Sequence, residues 1–109
     1  MNIADLDKLK DIQAYIWDKN KERGFSEDTP ERKLLMLMEE SGELAKAIRK
    51  SIGMGFSDST KITDLKEELA DVQIILLGLA STLDIDMLEA IREKEQKNSK
   101  RSWSSRETL

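Results

Sequence analysis

The sequence predicts an all-α fold, a bundle of four helices, and three observations carry that prediction. Apolar residues recur at three- and four-residue spacing over long stretches, the period of a helix with one buried face. The 109 residues include five Gly and a single Pro, so little interrupts a helix once it has begun. No segment alternates apolar with polar residues as a half-buried strand does. The length is that of one ordinary domain, read as 1–101 with a tail at 102–109. A chain this small buries only about two thirds of its unfolded surface, so completion of the bundle by packing against other subunits is expected.

The first helix is expected from about Ile3 to Arg23, with Leu6, Leu9, Ile12 and Ile16 near helical spacing and Gly24 as its stop. Thr29-Pro30 marks the second, because Thr caps a helix and Pro suits its first position. That helix should reach about Ser51, and Gly53 to Thr60 reads as a loop. A third is expected near Thr63-Asp64, where Asp64 and Glu67 resemble a capping box, and should end near Leu83. Its apolar stripe is Leu65, Leu69, Val72, Leu76, Leu79 and Leu83, extended by Ile75. Asp86 with Glu89 offers a similar start for the fourth, which should run to about Ser99. The tail, Ser102 to Leu109, has no period.

Absences narrow the chemistry. There is no Cys, hence no thiolate nucleophile or cysteine metal site, and no His, hence no imidazole catalysis. What remains is carboxylate, Lys/Arg and hydroxyl chemistry. Carboxylates alone suit hard cations such as Mg²⁺ or Mn²⁺. The net charge of −4 argues against a general nucleic-acid binder. The N-terminus lacks the basic start and apolar run of a signal peptide, and no apolar stretch approaches the ~20 residues of a membrane span. A cytoplasmic protein without membrane partners is expected.

The acids are placed tellingly. Glu39, Glu40 and Glu43 lie in the middle of the second helix. Residues three apart differ by about 60° around the axis, so Glu40 and Glu43 share a face, and Glu39 joins Glu43 at the i,i+4 spacing. Alone, in a chain with 22 acidic residues, this run reads as a solvated helix face. Glu68 is more informative, since it falls in the register of the third helix's apolar stripe, with Asp71 three residues later. A carboxylate drawn into such a face is paired or bound to metal. The pairing alternative is an ion pair with Lys33, Lys46 or Lys50. If the second and third helices pack antiparallel, Glu40 and Glu43 can face Glu68 and Asp71, and a cation relieves the repulsion among the four. Near the end of the fourth helix, Lys94, Asn98 and Arg101 are spaced four and three apart and share one face. They suit either the negative end of the helix dipole or the oxygens of a phosphate.

Glu-Glu-x-x-Glu followed by Glu-x-x-Asp resembles the signature of the MazG-type all-α nucleoside triphosphate pyrophosphohydrolases. The matching stretches are Leu37-Met38-Glu39-Glu40-Ser41-Gly42-Glu43-Leu44-Ala45 and Glu67-Glu68-Leu69-Ala70-Asp71-Val72, with Lys94, Asn98 and Arg101 downstream. The resemblance implies a MazG-like four-helix bundle that forms a homodimer or homotetramer. It implies hydrolysis of nucleoside triphosphates to the monophosphate and pyrophosphate, in the service of removing non-standard or surplus nucleotides. In that reading Glu40, Glu43, Glu68 and Asp71 ligate Mg²⁺ (or Mn²⁺), Glu39 and Glu40 are catalytic, and Lys94, Asn98 and Arg101 bind phosphate. One metal or two would fit four acids.

Aromatics are scarce, and Trp17, Phe25 and Trp103 could each stack on a base or serve as a core, interface or tail residue. Trp17 is the first candidate. A phosphoribosyl-ATP pyrophosphatase shares the acidic signature and is the neighbouring enzyme reading, and the dimeric all-α dUTP hydrolases are a further relative with generally longer chains. A non-catalytic helical interaction protein is the alternative from another class. A di-iron carboxylate bundle would usually recruit His, which the chain lacks.

Overall fold

The computed structural model describes residue 3 and residues 8–24, 28–52 and 62–101. Among them are four helices: α1 (Leu9–Glu22), α2 (Pro30–Ser51), α3 (Ile62–Thr82) and α4 (Met87–Lys100). The all-α expectation holds. No helix of the described residues is long and apolar enough to cross a membrane. The expected loop at Gly53 to Thr60, the tail, Leu6, Phe25 and Trp103 lie outside the described residues.

Two helix starts follow the sequence chemistry. The Thr29 hydroxyl accepts from the Arg32 amide at 3.2 Å, with Pro30 opening α2. At α4 the Asp86 carboxylate accepts from the Leu88 and Glu89 amides, while Glu89 turns to Arg92 rather than back to the cap. The third start is shifted: α3 is already helical at Ile62, so Asp64 sits inside its first turn and not at its N-cap. An acid there still complements the positive end of the helix. Gly24 ends α1 with φ +81°, as its position predicts.

The α3–α4 turn ends its helix without glycine. The Ile85 amide reaches the Ala80 carbonyl at 2.9 Å and the Asp84 amide reaches Ser81 at 3.1 Å, the two bonds of a Schellman close. Asp84 takes the left-handed conformation at φ 57°, which short polar side chains tolerate.

α2 and α3 form the main packed pair. They run antiparallel: Lys33 lies over Gly78, Glu40 meets Glu68 and Asp71, and Ala47 shares a cavity with Asp64 and Glu68. α1 packs on the C-terminal half of α3 and on the start of α4. One buried amide makes much of that joint. Gln13 Nε2 donates to Ser81 Oγ at 3.1 Å and to the Ile85 carbonyl at 2.9 Å, and Gln13 Oε1 accepts from the Met87 amide at 3.0 Å.

The apolar core consists of Ile16, Ala47, Leu77 and Ala80, with Leu77 buried deepest. This corrects the expected α3 stripe. Leu69 and Leu83 are exposed, and Leu77 lies off that stripe. The physical reason is that α3 serves two neighbours: its N-terminal half meets α2, and its C-terminal half meets both α2 and α1, with Gly78 close to Lys33 and Asn20 alike. A single stripe cannot describe both. Large apolar side chains remain exposed on every helix but α1, among them Leu35, Met38, Leu69, Ile74 and Ile91.

Candidate metal centre

Glu40 reaches the site from the middle of α2, and Glu68 and Asp71 from successive turns of α3. One carboxylate oxygen of each lies within 4.8 Å of the others. Glu40 and Glu68 are half-buried and Asp71 is exposed, so the group is open on one side. Glu43 stands outside this group. It lines an adjoining cavity of about 180 Å³ together with Lys46, Ala47, Lys50, Asp64 and Glu68. Three of the four expected ligands therefore converge, and the fourth sits next door.

Glu68 is the strained member. Its Oε2 is shielded from solvent and has no hydrogen-bond partner. Burial, followed by the negative charges of Glu40, Asp71 and Glu43, raises its carboxyl above the ordinary glutamate value. The ion-pair alternative is not what the structure shows. Lys33 is buried against Asp28 at 3.4 Å, and no ion pair joins Glu68 to Lys46 or Lys50 among the described residues.

These residues fit a divalent cation. An unsatisfied buried carboxylate oxygen is costly unless a cation or a donor meets it. All donors are hard oxygens, as Mg²⁺ and Mn²⁺ prefer. Glu40, Glu68 and Asp71 would hold such an ion from one side and leave the open side for water and substrate oxygens.

The other expected site residues are placed elsewhere. Glu39 is exposed on α2 beside Glu40. Lys94 and Arg101 are exposed and Asn98 is half-buried at the end of α4, where Asn98 Nδ2 donates to Glu95. None of the three lines the cavity beside the acids. Trp17 lines a different cavity, of about 360 Å³, with Gln13, Ser81, Asp84 and Ile85. Ser81 lies thirteen residues beyond Glu68, about 20 Å along α3. The fold does not bring Trp17 to the acids of its own chain.

Comparison with known proteins identifies the family. A family model described as the MazG nucleotide pyrophosphohydrolase domain matches residues 28–104, which include the acidic residues of α2 and α3 and the basic end of α4. YpjD of Bacillus subtilis (strain 168), itself an uncharacterized protein, is 35% identical over 107 residues, spanning 91% of this chain and 93% of YpjD. The crystal structure of B. subtilis YpjD, described there as a candidate pyrophosphatase, superposes with a TM-score of 0.77 at 28% identity. It covers 90% of this chain and 99% of that one.

Proposed function

Since the chain belongs to the MazG nucleotide pyrophosphohydrolase family, we propose that it hydrolyses nucleoside triphosphates to the monophosphate and pyrophosphate, with Glu40, Glu68 and Asp71 holding Mg²⁺. The observation that carries this reading is the convergence of the Glu40, Glu68 and Asp71 carboxylates, one of which, Glu68, keeps a buried oxygen without a hydrogen-bond partner. Mn²⁺ fits the same oxygen donors.

In the proposed reaction, water oxygen bonds to the α-phosphorus and the α–β anhydride bond breaks. The bridging oxygen departs with pyrophosphate, and one proton is released. The bound cation supplies neutralisation of charge on the phosphoryl oxygens. Everything else falls to the chain. Glu40, Glu68 and Asp71 fix the position of the cation, and Glu43 adds a fourth carboxylate within reach of Glu68. Glu39, exposed beside Glu40, is assigned the orientation of water. Lys94, Asn98 and Arg101 are assigned phosphate contacts on the strength of the family signature. A base stacked on Trp17 would have to belong to a nucleotide held by the acids of another copy, given the ~20 Å along α3. The biological role, removal of non-standard or surplus nucleotides, is proposed from the same family reading.

Pyrophosphate release from a panel of canonical nucleoside triphosphates, with Mg²⁺ and then with EDTA, tests the proposal. Release that requires the metal is the expected result. Silence across canonical and modified nucleotides would sink it.

The exposed Leu35, Met38, Leu69 and Ile74 further support a homodimer or homotetramer in which other copies cover α2 and α3. Light scattering on the purified chain should return a multiple of 12.5 kDa. A monomer mass at micromolar concentration would exclude the assembly.

A further inference from the structure

The cavity beside the acids is lined by two cations as well as by carboxylates: Lys46 and Lys50 of α2 stand over it with Glu43, Asp64 and Glu68. We infer that it is an anion subsite in which Lys46 and Lys50 grip the terminal phosphates of the substrate and, after hydrolysis, the pyrophosphate product. The inference rests on the proposed function and adds to it where the polyphosphate lies.

Several features favour this over a solvated lysine face. The two lysines are four apart, so like charges sit on adjacent turns of one face, an arrangement that repels unless an anion lies between them. Neither has an ion-pair partner among the described residues, although acids line the same cavity. Helical side chains incline toward the N-terminus of their helix, which on α2 aims both lysines back toward Glu43 and Glu40. Attraction to the negative end of α2 would account for Arg49 and Lys50 alike, yet Arg49 does not line the cavity and Lys46 precedes the last turn. Lysine's flexible point charge suits a phosphate that must bind and then leave.

The acids of the cavity set a condition. Glu43, Asp64 and Glu68 would repel a free phosphate, so the anion enters only once a divalent cation has neutralised the neighbouring cluster. Anion binding is therefore metal-dependent. The placement also gives the substrate a direction. Its phosphates point toward the C-terminal end of α2, and its nucleoside points toward the end of α3 on which α1 packs.

The test is a Lys46→Ala/Lys50→Ala double variant, with Lys46→Arg/Lys50→Arg as the charge-retaining control. Pyrophosphate binding is measured by calorimetry in millimolar Mg²⁺ and in EDTA, beside nucleotide kinetics and the Mg²⁺-induced thermal shift. The alanine variant should raise the pyrophosphate Kd and the nucleotide KM roughly tenfold or more, since two charge-assisted contacts are lost. It should keep the thermal shift with Mg²⁺ alone, which also reports that it is folded, and the arginine variant should restore binding. Wild-type pyrophosphate affinity in an alanine variant that still hydrolyses nucleotide would overturn the subsite and leave the proposed function standing. A wild-type protein with neither thermal shift nor hydrolysis would overturn both.

Discussion

Glu68→Gln is expected to cut metal-dependent hydrolysis on the order of a hundredfold or more while raising the melting temperature of the metal-free protein. The two effects have one origin. In the folded chain the Glu68 carboxylate is partly buried, faces Glu40 and Asp71, and has an oxygen with no partner. Its ionised form is therefore less favourable folded than unfolded, which is why its carboxyl is raised. By linkage, that penalty is fully present above the raised value and fades as pH falls through it. Glutamine removes the charge at every pH. Its advantage in EDTA should be largest at neutral pH and shrink on acidification.

The same substitution removes a ligand. Turnover should fall on the order of a hundredfold or more, the scale of losing one preorganised electrostatic contact. The Mg²⁺-induced thermal shift, which measures occupancy, should shrink with it. Glu40→Gln should behave alike in turnover, since Glu40 is the only α2 member of the converging group. Scanning calorimetry with Mg²⁺ and with EDTA, together with a pyrophosphate-release assay, checks both effects. Wild-type turnover in both variants would remove this site from the mechanism. A lower melting temperature for Glu68→Gln in EDTA would mean that the carboxylate stabilises the fold.

How much of this was legible in the sequence depends on whether the signal is local. Caps and stops are local, and Thr29-Pro30, Asp86 and Gly24 mark their boundaries correctly. The acid pairs are local too, because residues three apart share a helical face wherever the helix goes. Which acids meet across two helices is not local. In the antiparallel register Glu40 stands opposite Glu68 and Asp71. Glu43, a turn further along α2, faces the stretch toward Asp64 instead. The same register carries Lys50 toward the start of α3. Lys46 and Lys50 therefore line a cavity, where the spacing alone allowed only an ion pair with Glu68. Trp17 shows the limit most clearly. Nothing near it in sequence says that α1 docks at the Ser81 end of α3, because that contact is made by Gln13 across 68 residues.

Lys33→Ala should destabilise the protein by about 3 kcal/mol, and Lys33→Met by about 1 kcal/mol or less. Lys33 is only 3% exposed, and the reason for its burial lies in α3. A Cβ at Gly78 would stand 3.8 Å from both Cε and Nζ of Lys33 and 3.2 Å from Asn20 Nδ2. The lysine stem thus occupies the space that glycine leaves between α2 and α3, while its ammonium pairs with Asp28 at 3.4 Å. Truncation to alanine removes three methylenes at about 0.8 kcal/mol each, plus a share for whatever cavity does not collapse. Methionine keeps most of that volume. It strands little charge, because Asp28 is partly exposed and has Arg32 at 3.9 Å as a second cation. Urea denaturation of the three proteins checks the ordering. Equal losses for alanine and methionine would show that the ion pair, and not the stem, holds the joint. Lys33 also lies seven residues before Glu40, two turns along the same face of α2. A looser joint there should let Glu40 drift from Glu68 and Asp71, so the alanine variant should need more Mg²⁺ for half its thermal shift than the methionine variant does.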